Sequence, residues 1–262
     1  MNDNAGAIEC AYSVEGSGAP LILIHGIGAA RDAWRFVTPH LTDHFTVITY
    51  DLRGHGKSPL PKGEFGLNEL VGDLEALRQR LGFEKVHLAG HSLGGMIGPA
   101  YARAHPDRVL SIGLYSTAAG RTEDDSAKVW GVVKAMEDKG IENVLGTLTD
   151  RWFTDPFIAQ NPEIVERRLK QVIATNPDIF MNVFRIYAGT EMMPWLHEIA
   201  HPSLIITGEL DGGCNPRLNR LIDDALPNSR LIILEALKHS ILVEAGETIA
   251  KHQIEFVQSL NC

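Results

Sequence analysis

Cysteine is scarce in this sequence. Cys10, Cys214 and Cys262 are the three cysteines in 262 residues, and their wide spacing matches no metal-binding pattern. An odd and widely separated set argues against a disulfide framework and favours free thiols in a reducing compartment. We therefore expect neither stabilising cross-links nor a bound metal.

Long apolar runs and an excess of basic residues are also missing. No apolar run approaches eighteen residues, which predicts no transmembrane helix. The first twenty residues lack a basic segment followed by an apolar one, so we expect no secretory signal and a cytoplasmic protein. With 24 Lys and Arg against 33 Asp and Glu, the net charge is −9. That charge disfavours nucleic acid and anionic membrane surfaces as partners.

Short apolar runs separated by helix-like segments are what the sequence does contain. Runs of this kind are typical of strands buried on both faces of a parallel sheet. The alternation of strand and helix predicts an α/β fold, with a mostly parallel twisted sheet flanked by helices. The predicted strands are Leu21–Ile24, Thr46–Tyr50, Val86–Ala89, Val109–Tyr115, Ser203–Thr207 and Arg230–Leu234.

The strand pattern stops in the middle of the chain. Between about Ala118 and Ala200 we find no convincing strand, but helix-like segments over Ala127–Lys139, Glu163–Ala174 and Asp178–Tyr187. A helical insertion into an α/β sheet is typical of a cap. We therefore expect a core domain formed by residues 1–117 and 201–262, with residues 118–200 as a helical cap.

The segment Gly90–Gly95 carries the most specific motif, G-x-S-x-G with Ser92 at its centre. It follows a predicted strand and precedes a helix-like segment, which is the context of a nucleophile elbow. Gly90 and Gly94 suit so tight a turn because they have no β-carbon. A glycine-rich turn without chemistry is the alternative interpretation of the motif alone.

A serine nucleophile needs a base to take its proton and an acid to orient that base. Asp211 and His239 follow Ser92 in the chain order of an α/β-hydrolase triad, each just beyond a predicted strand. Crevices form at the carboxyl ends of parallel strands, so the three side chains are expected to meet there. Glu209 is the rival acid, although it lies closer to its strand.

Acyl transfer also needs N–H donors for the oxyanion that develops on the substrate. The backbone N–H of Leu93, directly after the nucleophile, is one candidate. The segment His25–Gly28 follows the first predicted strand of the core, and the N–H of Ile27 is the second candidate.

On these motifs the chain resembles the α/β-hydrolase superfamily. The resemblance extends to Asp51–Ser58, which we interpret as a structural hallmark of that family. Ser116–Gly120 and Arg151–Thr154 are similar to segments of 3-oxoadipate enol-lactonases. Two departures stand out: Pro216 follows Asp211 by five residues where four is commoner, and Met192–Trp195 has no counterpart.

The resemblance implies a serine hydrolase of carboxylic esters or lactones that needs no cofactor. Arg121 and Arg151 are candidates to hold a substrate carboxylate, because a guanidinium pairs with one bidentately. Trp130 and Trp152 are candidates to line an apolar pocket. A perhydrolase or a C–C hydrolase with the same triad, and a ligand sensor with slow turnover, are the alternatives left open.

Overall fold

A seven-stranded sheet forms the centre of the computed structural model, which describes residues 6–260. The strands are β1 Tyr12–Gly16, β2 Ala19–Ile24, β3 Phe45–Tyr50, β4 Val86–His91, β5 Val109–Tyr115, β6 Ser203–Gly208 and β7 Ser229–Leu234. Their spatial order is β1-β3-β2-β4-β5-β6-β7. β1 pairs with β3 in the antiparallel sense, and the other neighbours are parallel.

Eleven α-helices accompany the sheet within residues 6–260, and six of them, α3–α8, lie between β5 and β6 in the chain. Short 3-10 turns supplement them, including Arg31–Trp34 after β2. The helices are α1 Leu67–Arg80, α2 Gly94–Ala104, α3 Glu123–Lys139, α4 Leu145–Trp152, α5 Asp155–Gln160, α6 Pro162–Ala174, α7 Pro177–Gly189, α8 Met193–Leu196, α9 Pro216–Ala225, α10 Ile241–Glu244 and α11 Gly246–Ser259.

Apolar side chains of the central strands pack on both faces of the sheet. In β2, Ile22 and Ile24 belong to the cluster that contains residues of α1, α2 and α9. Leu21 and Leu23 point the other way, into the cluster with α10 and α11. Because successive strand residues face opposite sides, a continuous apolar run is what a strand covered by helices on both faces requires.

The helices between β5 and β6 have an apolar cluster of their own, built from α3, α4, α6 and α7. The helical segment between β5 and β6 also forms hydrogen bonds with residues that follow β7. The N–H of Ser240 donates to the carbonyl of Trp152 at 2.8 Å, and the Thr154 hydroxyl donates to Glu244 at 2.6 Å. The helical segment is thus attached to the loop that follows β7, through Ser240, and to α10, through Glu244.

The predicted fold class is confirmed, and all six predicted strands are present. The sequence interpretation missed β1, an edge strand whose mostly exposed residues lack the apolar run of a central strand. It also missed the short helices α4, α5 and α8, which are too brief to show a clear helical period. No helix within residues 6–260 is long and apolar enough to cross a membrane. Cys10 and Cys214 are buried free thiols, and Cys262 lies outside the described residues.

Candidate active site

Ser92 lies at the turn between β4 and α2, in the left-handed backbone region at φ 56°. Non-glycine residues with such angles are uncommon and cluster at functional sites. The turn is possible only because Gly90 and Gly94, two residues to either side of Ser92, have no side chain. A Cβ on Gly90 would lie 2.0 Å from the Gly94 carbonyl oxygen, and a Cβ on Gly94 would lie 2.2 Å from that of Ile24.

Asp211 and His239 meet at the carboxyl ends of β6 and β7. Nδ1 of His239 lies 2.7 Å from Oδ2 of Asp211. A carboxylate only accepts, so Nδ1 carries the proton and Nε2 is left as the basic nitrogen. The other oxygen, Oδ1, accepts the amides of Gly213 and Cys214 at 2.9 and 2.8 Å. The rival acid Glu209 is exposed and instead accepts the N–H of Ala236 at 3.0 Å.

Burial and charge act in opposite directions on this pair. Burial alone would lower the pKa of His239, but the Asp211 carboxylate outweighs it and raises the pKa above its usual range. For Asp211, burial raises the pKa, and the imidazole with two backbone amides lowers it on balance. The pair therefore favours an ionised Asp211 and a more basic His239.

His91, the residue before Ser92, bonds to the loop that carries His239. Its Nε2 donates to the carbonyl of His239 at 2.9 Å, and the two rings lie 4.8 Å apart. Burial lowers the pKa of His91 to about 3, so the ring is neutral at pH 7. A neutral donor fixes the loop without placing a positive charge beside His239.

The loop after β2 brings Ile27 into the lining of the cavity that contains Ser92. Leu52 N–H donates to Nε2 of His25 at 2.9 Å, so Nδ1 carries the ring proton and donates to the Gly26 carbonyl at 2.8 Å. In a trans peptide the C=O and the next N–H point in opposite directions. A Cβ on Gly26 would lie 3.1 Å from Cβ of Ser92, so His25 fixes the direction of an N–H next to the nucleophile.

Neither predicted oxyanion donor is used elsewhere. Within residues 6–260 the amides of Ile27 and Leu93 donate no hydrogen bond to another residue. An unpaired buried N–H is costly and therefore rare in native proteins. Leu93 is buried directly after Ser92, and the half-buried Ile27 lines the same cavity as Ser92. An oxyanion in that cavity would give both N–H groups an acceptor.

Ser92, Asp211 and His239 line one cavity of about 160 Å³. It lies between the carboxyl ends of the strands and helices α3, α4, α6 and α7. Most of its surface is apolar, but four arginines also line it, and Asp211 is the one carboxylate among its lining residues. The arginines are Arg35, Arg151, Arg167 and Arg168.

Comparison with known proteins identifies the family of the chain. The model of the family described as "alpha/beta hydrolase fold" matches residues 19–245. The chain belongs to the α/β-hydrolase family.

Three relatives illustrate the range of activities among similar proteins. The chain is 29% identical to 3-oxoadipate enol-lactonase 2 of Acinetobacter baylyi over 90% of this chain and 87% of that protein. It is 26% identical to lipase 3 of a Moraxella species over 93% and 79% of the two chains. The crystal structure of the enol-lactonase from Burkholderia xenovorans LB400 superimposes with a TM-score of 0.88, at 26% identity, over 96% of this chain and 97% of that one.

The structure divides the four candidate substrate contacts of this α/β-hydrolase into two pairs. Arg151 and Trp152 line the cavity. Arg121 does not: its Nη1 donates to the Tyr187 carbonyl at 3.0 Å, and its guanidinium lies over the Tyr187 ring. Trp130 is 44% exposed on α3, outside the cavity lining. The expectation that Arg121 and Trp130 contact substrate is thus not supported, because Arg121 is bound to Tyr187 and Trp130 lies at the protein surface.

Sequence reasoning missed Arg168, which lines the cavity of this α/β-hydrolase. A signal was present. Arg168 stands four residues after Ile164 and four before Val172, on the inward face of α6, where an arginine interrupts an apolar stripe. A charged residue at such a position is rarely buried without a partner or a role.

Asp211, Cys214 and His239 place ligand-type atoms within 4.8 Å of one another. These atoms already have partners in the protein. Asp211 and His239 bond to each other, and Sγ of Cys214 lies 3.2 Å from the hydroxyl of Tyr187. The geometry is that of an acid–base pair beside a buried thiol.

Proposed function

We propose that this α/β-hydrolase cleaves a carboxylic ester or lactone by nucleophilic catalysis through Ser92, His239 and Asp211. The observation that carries the proposal is the 2.7 Å contact of His239 with Asp211 in the cavity that contains the strained Ser92. Support also comes from the unpaired amides of Ile27 and Leu93. The relatives named enol-lactonase and lipase agree with this reaction class.

In the first step Ser92 Oγ attacks the substrate carbonyl carbon while His239 Nε2 takes the hydroxyl proton. The carbonyl oxygen becomes an oxyanion that accepts the N–H groups of Ile27 and Leu93. The tetrahedral intermediate collapses as His239 returns the proton to the departing alkoxide oxygen. An acyl group is left on Ser92, and Asp211 stabilises the transient imidazolium throughout.

In the second step His239 takes a proton from water, whose oxygen attacks the acyl carbon. The same two amides hold the second oxyanion. Collapse breaks the bond to Ser92 Oγ, which regains its proton from His239, and the carboxylic acid leaves. For a lactone, the acid and the alcohol released are parts of one molecule.

The substrate class follows from the charge of the cavity. Two of its four arginines already have partners: Arg167 pairs with Asp32, and Arg168 donates to backbone carbonyls. Arg151 forms no ion pair within the described residues and also lines the cavity, so an anionic group on the substrate would be stabilised there. We propose an ester or lactone that bears a carboxylate, with Arg151 as a contact. We further propose that residues 118–200 act as a cap that determines which acyl and leaving groups fit.

Active-site labelling by a fluorophosphonate probe tests the reaction. Wild-type protein should be labelled and should hydrolyse p-nitrophenyl acetate, whereas Ser92→Ala should lose both properties. Ser126→Ala, on α3, is the matched control and should retain them. Labelling of Ser92→Ala equal to that of wild type would contradict the proposal.

Turnover kinetics separate the enzyme from the alternatives. A hydrolase should release p-nitrophenol steadily, but a sensor should give one burst and stop. Steady formation of peracid from acetate and hydrogen peroxide, faster than ester hydrolysis, would favour the perhydrolase instead. A panel of short-chain esters, γ- and δ-lactones and enol lactones, with and without a carboxylate, should show faster turnover for the anionic members.

A further inference from the structure

Arg168 connects α6 to the loop that carries the Ile27 amide. Its Nη2 donates to the Ile27 carbonyl at 2.9 Å, and its Nη1 donates to the Gly28 carbonyl. Nη1 also lies 3.4 Å from Oε1 of Gln171, one turn further along the helix. The fork geometry of a guanidinium lets one side chain hold two successive carbonyls.

Backbone carbonyls, and not a paired carboxylate, hold this arginine in the part of the chain that the structure describes. Within residues 6–260 Arg168 forms no ion pair, whereas its neighbour Arg167 pairs with Asp32 at 2.8 Å. The guanidinium lies over the ring of Trp152, 4.8 Å from its centroid. Burial lowers the pKa of Arg168 to about 10, so the group remains charged at pH 7. Its main polar partners are the carbonyls of the loop.

The same loop also packs closely against α6 and α7. Gly28 has a φ of +56°, and a Cβ there would lie 2.4 Å from the ring of Phe180 on α7. Nε2 of Gln171 donates to Asp32, just after the loop, at 2.7 Å. Helices α6 and α7 therefore contact the loop at several residues besides the carbonyls that Arg168 holds.

The two peptide planes that flank Ile27 are each held by one side chain. His25 holds the preceding plane through the Gly26 carbonyl, and Arg168 holds the following plane through the Ile27 carbonyl. Since a residue has only two soft backbone dihedrals, fixing both planes fixes φ and ψ of Ile27. The direction of its N–H then no longer depends on the substrate.

We propose that Arg168 is a positioning residue for the oxyanion hole, through which α6 sets the Ile27 amide for catalysis. This inference rests on the proposed acyl transfer at Ser92. It differs from substrate anchoring, because Arg168 acts through backbone groups that are needed whatever the substrate's charge. A donor held in place favours the charge that develops in the transition state, so the effect should fall on kcat more than on KM.

Arg168→Lys and Arg168→Gln test the inference with p-nitrophenyl acetate, a substrate without a carboxylate. Losing one oxyanion donor costs about 10²–10³ in rate, and we expect a misdirected donor to lower kcat by about tenfold to hundredfold. KM should stay within about twofold of the wild-type value. Arg185→Lys, on α7, is the matched control: it alters a surface ion pair with Glu137 of α3 and should leave both constants unchanged.

A second experiment compares two ketone inhibitors, of which only one forms an oxyanion on Ser92. A trifluoromethyl ketone adds to Ser92 and places an oxyanion in the hole, whereas the corresponding methyl ketone binds without adding. In both Arg168 variants the inhibition constant of the trifluoromethyl ketone should rise by the factor lost in kcat, and that of the methyl ketone should not change. Added guanidinium ion should restore part of kcat to Arg168→Ala, and ammonium at equal ionic strength should not.

Each outcome decides the inference. A rise in KM with kcat unchanged would make Arg168 a substrate contact and overturn it, as would wild-type constants in both variants. Thermal melts exclude misfolding, and the conservative Arg168→Lys keeps the test valid if Arg168→Gln and Arg168→Ala are unstable. A wild-type protein that fails to label or turn over would refute the proposed function, whereas an active wild type with unaffected Arg168 variants would refute this inference alone.

Discussion

His239 reaches one oxygen of the Asp211 carboxylate, at 2.7 Å, and two backbone amides reach the other. The carboxylate, only 2% exposed, thus has a hydrogen-bond partner on each side. Its orientation is set by the turn after β6, so it can hold the imidazole in a single tautomer. Glu209, two residues earlier in the chain, has no contact of this kind.

Asp211→Asn should reduce kcat by about 10⁴ while leaving the fold intact, as the loss of the correct tautomer does in other triads. Steady-state kinetics with p-nitrophenyl acetate measure the effect. Glu209→Gln is the matched control and should change kcat by no more than about twofold, as is usual for exposed positions. A larger loss in Glu209→Gln than in Asp211→Asn would show that the acid has been misassigned.

The pH dependence of kcat/KM should report the basicity of His239. Its pKa is raised, so protonation disables the base at a higher pH than for a free imidazole. Activity should fall as pH decreases, with a midpoint above the ordinary imidazole value of about 6.5. Residual activity of Asp211→Asn should have its midpoint at lower pH, because the carboxylate that raises the pKa is gone. A wild-type midpoint below 6 would contradict the Asp211–His239 coupling.

Arg151→Gln should separate substrate anchoring from catalysis. Because the side chain lines the cavity, KM for a carboxylate-bearing ester should rise by about tenfold or more, the worth of one charged hydrogen bond. KM for the matching uncharged ester should not change. Arg121→Gln, outside the cavity, should leave both KM values unchanged. Equal effects of Arg151→Gln on both esters would remove it as the carboxylate contact.

Gly94→Ala should damage the elbow, because its Cβ would lie 2.2 Å from the Ile24 carbonyl oxygen. We expect a loss of at least about 2 kcal/mol in the free energy of unfolding, together with a loss of activity. Urea denaturation measures the first. Gly72→Ala, inside α1 and with no atom within 4 Å of the new Cβ, should instead stabilise the protein by about 0.5–1 kcal/mol. Similar unfolding free energies for the two variants would refute the steric explanation.

Much of the fold could be predicted because its signals are local. A strand covered on both faces needs a continuous apolar run, and the six runs identified in the sequence became strands. The edge strand β1 escaped, since Tyr12 and Val14 are exposed and no such run is needed there. In the helical segment, α3, α6 and α7 were long enough to show a period, but the four-residue α8 was not.

The sequence alone determined which residues stand at the strand ends, including Ser92, Asp211, His239 and Ile27, because strand periodicity and turn glycines are written in neighbouring residues. Only the tertiary structure decided which groups the arginines of the helical segment contact. Arg121 donates to the Tyr187 carbonyl of α7, and Arg168 donates to the Ile27 carbonyl, 141 residues away in sequence. Such choices depend on how helices pack against the sheet, and no local pattern encodes that packing.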